Sequence, residues 1–80
     1  MALPKGIHDD RYRELIERLV VARKAAGMSQ ASLAAKLGKP QQFVSRYELG
    51  ERRLDIIEFI DVAHAVGVDA IRQISGIDAK

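Results

Sequence analysis

The stretch from Ser29 to Gly50, SQASLAAKLGKPQQFVSRYELG, holds two helical patterns with only about two residues, around Gly38, between them. A connection that tight forces a sharp angle between the helices, as in a helix-turn-helix. An ordinary αα-corner satisfies the same constraint without touching DNA. Geometry alone leaves the two readings open, and the rest of the chain must separate them.

Helical periodicity runs through the remainder, and no stretch alternates apolar and polar residues over strand length. Tyr12, Leu15, Ile16, Leu19 and Ala22 place a first helix at about 10–26, capped by Asp9 or Asp10 and ended by Gly27. Ser29 caps a second helix to about Leu37, with Leu33, Ala34 and Leu37 inward. A third runs from Pro40 to Leu49, with Val44 and Tyr47 inward and proline in the first turn, where its missing N–H costs nothing. A fourth follows Asp55 to Val66 and buries Phe59, Val62, Ala63 and Val66. A fifth opens at Asp69, with Ile71 and Ile74 one turn apart. Short connections make this an all-α, compact five-helix bundle. The domain spans 10–75, between an N-terminal tail (1–9) and a C-terminal tail (76–80).

Eighty residues make one domain with a limited core, for which dimerisation would add stability. The chain has no cysteine, which removes disulfides and thiolate metal sites. It also has no run of about 18 apolar residues, and its N-terminus turns acidic where a signal peptide is apolar. The expectation is a cytoplasmic protein of bacterial or phage-like, nucleoid-associated setting.

The net charge of +2 hides a segregation of signs. Residues 18–53 carry eight bases and two acids, a net +6, whereas residues 54–80 carry a net −3. A basic middle segment is the footprint of a polyanion-binding surface, although segregated solvated charges look the same.

The run RKAAGMSQASLAAKLGKPQQFVSRYELGERR, followed by LDIIEFIDVAHAVGV, resembles the lambda-repressor-like, Cro/repressor-type (Xre) helix-turn-helix family. The likeness covers Arg23 to Ile74, about two-thirds of the chain. It rests on a glutamine opening the second helix, Leu-Ala in its middle, a turn glycine, a polar start to the third helix, Val-Ser-Arg-x-Glu, and a glycine followed by bases. The resemblance implies that Gln41 and Gln42 point into the major groove of double-stranded DNA, with Arg46 one turn on. It implies that Gln30, with the backbone N–H groups beside it, binds a phosphate, and that Arg52 and Arg53 grip the backbone. It also implies a structural pair between Arg23 and Glu48.

The side-chain chemistry agrees. Glutamine pairs bidentately with adenine and arginine with guanine, each good pair giving ~1–3 kcal/mol of discrimination. Positions 42, 45, 46 and 49 line one face, where Ser45 reaches a base or phosphate, or faces solvent. The plain alternative for each is a solvent-facing side chain, with Arg46 pairing to Glu48.

Four residues depart from the family pattern. Phe43 replaces a small polar residue and either packs on a thymine methyl or tucks against the second helix. The rarity of exposed phenylalanine on so small a surface favours partial packing. Leu49 replaces a common asparagine before Gly50. Pro40 replaces a hydroxyl cap, for which Lys39 compensates with charge near phosphate. Ile57 stands where a polar residue is usual. If Ile56, Phe59 and Val66 serve the core, Ile57 with Ile60, Ile71, Ile74 and Ile77 forms an apolar patch suited to a homodimer. For Ile60 and Ile71, completion of the core is the simpler reading. A dimer would read a palindromic operator.

Enzyme and metal chemistry find little support. His8, Asp9 and Asp10 are adjacent in a loop and lack a fourth ligand. His64 follows Asp61 by three residues, within reach of a surface hydrogen bond. No phosphate loop, nucleophile motif or paired catalytic carboxylates stand out, so no cofactor is expected. The reading is a dimeric, sequence-specific repressor. The rival is a protein-interaction module that keeps the fold and has lost specific DNA binding.

Overall fold

The computed structural model describes residues 9–77, whose regular structure is entirely helical. The helices are α1 (Asp10–Ala25), α2 (Gln30–Leu37), α3 (Gln41–Leu49), α4 (Ile56–Ala65) and α5 (Ala70–Ile74). Short polar side chains set the starts of α1, α2, α4 and α5. Asp9 accepts from the Arg11 N–H, Ser29 from Ser32 N–H, Asp55 from Glu58 N–H and Asp69 from Ile71 N–H. Each satisfies a donor that the helix itself cannot pair.

Helix α3 is the exception. Pro40 stays extended (φ −69°, ψ 155°) and caps it without a side-chain hydrogen bond, so the helix opens at Gln41 rather than at Pro40. Its other end closes at Gly50, whose φ of +84° takes the left-handed turn that a β-carbon resists. The Arg13 guanidinium also fills the space there: a β-carbon on residue 50 would lie 2.8 Å from its Nη1. Gly38, at φ +69°, makes the corresponding turn between α2 and α3, where the Lys39 N–H donates to Ala34 O at 2.9 Å.

Helix α3 packs most extensively on α2 and also meets α1, while α4 lies against α2 and α5. Ile16 and Leu19 from α1, Leu33 from α2, Val44 and Tyr47 from α3 and Val62 from α4 are fully buried at their common centre. Burying each large apolar side chain is worth ~1.5–3 kcal/mol, which makes this cluster the main source of stability. Burial also pushes the Tyr47 phenol above its ordinary pKa.

Long side chains tie the ends together. Lys36 Nζ donates to Ala65 O at the last turn of α4, at 2.9 Å. Arg18 donates to Gln73 O and Ser75 O, at 2.6 and 3.2 Å, and so holds the end of α5 on α1. The Tyr12 hydroxyl accepts from the Leu54 N–H at 2.9 Å.

The sequence reading places Ile77 in the C-terminal tail and in the apolar patch. Ile77 is 6% exposed and its N–H donates to Ile74 O, because the Arg18 anchor turns the chain back onto the bundle. Ile77 therefore leaves the proposed apolar patch. Ile71, read as core, is 80% exposed, because the buried position of this short helix is Ala70. Ile56, placed in the core only as a condition of the patch reading, is 61% exposed. His8 lies outside the described residues. Asp9, its neighbour in the imagined metal site, is occupied by Arg11, and the described residues hold no cluster suited to a metal. No helix among them is long and apolar enough to cross a membrane.

Candidate nucleic-acid interface

Helix α3 has two unlike faces. Phe43, Val44 and Tyr47 are buried, whereas Gln41, Gln42 and Arg46 are exposed. The Arg46 side chain has no hydrogen-bond or ion-pair partner among the described residues, so its five donors are available to a ligand. Its alternative partner, Glu48, is already taken. Ser45 is half-buried and turns its hydroxyl back to Gln42 O at 3.3 Å, a bond that occupies the donor a base would need.

What holds this face in place lies behind it. Arg23 from α1 donates through Nε and Nη2 to both oxygens of Glu48, at 2.7 and 3.0 Å, and through Nη1 to Met28 O at 2.8 Å. The two side chains are 9% and 7% exposed. A fork-to-fork ion pair of this kind fixes orientation as well as distance. It locks the last turn of α3 to α1 and to the loop before α2. Gln30 joins the same network by donating Nε2 to Glu48 Oε1 at 2.9 Å. The sequence reading gave Gln30 only a phosphate. In the fold it is also a rim member of the ion pair.

A helix-turn-helix family model matches residues 21–71 of the chain. A solved XRE-family like protein from Pseudomonas syringae pv. tomato is 49% identical, over 91% of this chain and 89% of that one, and superposes with a TM-score of 0.85. The chain belongs to the Xre-type helix-turn-helix family. That family consists of DNA-binding transcription regulators. None of the curated proteins matches the chain.

Within this helix-turn-helix protein, the basic segment is less free than its charge suggests. Four of its eight cations are hydrogen-bonded inside the molecule: Arg18, Arg23, Lys36 and Arg52. Arg52, read from the sequence as a grip on the DNA backbone, has an acidic partner within the molecule. Its Nη1 and Nη2 grip both oxygens of Glu58, at 2.9 and 2.7 Å, and Nη1 also reaches Arg53 O. The Arg52 guanidinium and the Asp55 N–H together hold the Glu58 carboxyl down to about 2. Lys24, Lys39, Arg46 and Arg53 remain with their cations toward solvent or an aromatic face. Arg53 lies 5.8 Å from the centre of the Tyr12 ring.

Phe43, for which packing is the favoured of two sequence readings, is packed. It is 9% exposed, sits edge-on to Tyr47 with ring centres 5.6 Å apart, and lies under two cations. Arg52 is 4.8 Å and Lys39 5.5 Å from its centre. The ring belongs to the core cluster, with Arg52 of the following loop over it. The sequence contained the relevant signal, a Glu58 capping box after Asp55, but not its second use as the Arg52 acceptor.

The apolar patch is also redrawn. Ile56, Ile57 and Ile71 are 61%, 62% and 80% exposed, Ile74 is 36% exposed, and Ile60 is half-buried against the core. Ile56, Ile60, Ile71 and Ile74, with His64 and Asp69, line a groove of about 560 Å³ between α4 and α5. His64 makes no hydrogen bond to Asp61 among the described residues.

Proposed function

We propose that the protein is a sequence-specific transcriptional repressor that places α3 in the major groove of a palindromic operator. The observation that carries this reading is the exposed row of Gln41, Gln42 and Arg46 on a helix whose opposite face is buried and locked by Arg23–Glu48. Free amide and guanidinium donors on a rigid support are what direct base readout requires. Gln42 and Arg46 select bases, with Gln41 at the entry to the groove. Lys39 and Arg53 neutralise phosphates, and Gln30 presents its remaining amide donor to one. Phosphate contacts of this kind set affinity and register, and base contacts set sequence.

The exposed isoleucines of α4 and α5 support a homodimer in which Ile56, Ile57, Ile71 and Ile74 meet their symmetry mates. A two-fold dimer presents two recognition helices to half-sites about one helical turn, ~34 Å, apart. Repression then follows from occupancy of promoter DNA.

Selection of bound duplexes from a random double-stranded pool at near-physiological salt tests the proposal. The expected result is an enriched inverted repeat. A folded protein that enriches nothing is instead an interaction module, whose partner docks on the α4–α5 isoleucines.

A further inference from the structure

Arg52 and Glu58 are six residues apart and bracket the junction between the loop after α3 and the first turn of α4. Glu58 does two things there. Its Oε1 accepts from the Asp55 N–H at 3.0 Å, completing the capping box of α4, and both its oxygens accept from Arg52. Arg52 in turn lies over the Phe43 ring in a cation–π contact, 4.8 Å from the ring centre. Phe43 is the third residue of α3, directly beside Gln42. A continuous set of contacts thus runs from the start of α4 through Glu58, Arg52 and Phe43 to the base-reading end of α3. Lys39, from the α2–α3 turn, covers the same ring and adds the fourth element. The distal end of α3 has its own lock in Arg23–Glu48. Without the Glu58 clamp, its proximal end is held by the burial of Phe43 and Val44, by packing on α2 and by a Pro40 cap that offers no side-chain bond.

We infer that Glu58 is a positioning residue for DNA recognition: through Arg52 and Phe43 it fixes how the first turn of α3 is presented, and it touches no DNA itself. This inference rests on the base-reading role of α3 given above. It makes a prediction opposite in sign to simple electrostatics. Deleting an acid near a polyanion-binding surface strengthens binding, and an Arg52 freed from Glu58 would add a phosphate contact. If Glu58 is a clamp, its loss weakens binding although a negative charge has gone.

The test is Glu58→Gln, which keeps shape and an acceptor for the Asp55 N–H but breaks the charged fork. Affinity for the selected operator, measured well below the melting temperature, should fall by about threefold to thirtyfold, the range seen for residues that act without touching ligand. The salt slope should stay that of the parent. Adding Arg52→Gln to Glu58→Gln should cost little more than either alone, because both break one clamp. Tighter binding with a steeper slope would show that Glu58 merely restrains a phosphate-binding Arg52, and would overturn the inference. So would a lowered melting temperature with unchanged affinity. Arg53→Ala, run alongside, should flatten the slope by about one and reports on the DNA-binding reading itself. Amide hydrogen exchange of the free protein tests the clamp without DNA. Glu58→Gln should speed exchange of the hydrogen-bonded amides that open α3, the Phe43 N–H bonded to Pro40 O among them, and rates equal to the parent's there would refute the clamp even if no operator were found.

Discussion

Two exposed surfaces of this molecule stand unpaired for opposite reasons. The outer face of α3 presents Gln41, Gln42 and Arg46, polar groups that water satisfies equally well. The α4–α5 face presents Ile56, Ile57 and Ile71, which water penalises. The first surface is backed by a buried ion pair and a core helix face, and the second by half-buried Ile60 and the short α5. A surface that must distinguish bases needs donors fixed in direction, so its support is directional and ionic. A surface that must gain from burial needs only area, and tolerates looser backing.

The strongest way to break this comparison is to remove the support of the polar face. Arg23→Ala strands the Glu48 carboxylate, which is 7% exposed and would keep only Gln30. The expected loss is ~3–5 kcal/mol of unfolding free energy in urea, because an uncompensated buried charge remains. A cost near zero would mean that Glu48 reaches water easily and that α3 is held by packing alone.

A smaller effect is expected on the face itself. Arg46→Ala should leave stability near the parent's and remove ~1–3 kcal/mol of discrimination at one base position of each half-site. Repeated duplex selection reads this as relaxed preference at that position. Retained stringency there would move base readout to Gln41 and Gln42.

The smallest change in stability should come from the apolar face. Ile57→Lys replaces a 62% exposed side chain, so the unfolding free energy of the monomer, measured at a concentration too low for association, should shift by no more than about 0.5 kcal/mol. Sedimentation should nevertheless show self-association lost, because a buried lysine without a partner opposes an apolar interface. Self-association equal to the parent's would place the dimer contact elsewhere.

The pattern of fates among the cations explains how far sequence reasoning reached. Arg23 and Glu48 were legible because family resemblance pairs those positions. Arg46 was legible because helical spacing places it opposite Val44 and Tyr47. Arg52 was not: its neighbour Arg53 has the same local sequence context, yet one turns to Glu58 and the other to the Tyr12 ring and solvent. The direction of each side chain is set by how the loop meets α4, which no periodicity records. Lys36 and Arg18 were hidden in the same way, each counted as surface charge and each spent on a backbone carbonyl of a distant helix end.

Local pattern was enough for the five helices, the caps Ser29, Asp55 and Asp69, the tight α2–α3 turn and the inward set Leu33, Val44, Tyr47 and Val62, because periodicity and capping are local properties of a chain. Packing between helices settled how deeply Phe43 is buried, that Arg52 pairs with Glu58, that Ile77 is buried and that Ile56 and Ile71 are not. Those outcomes depend on which helix lies opposite a residue, and apolar spacing along one helix marks a face without saying whether anything covers it.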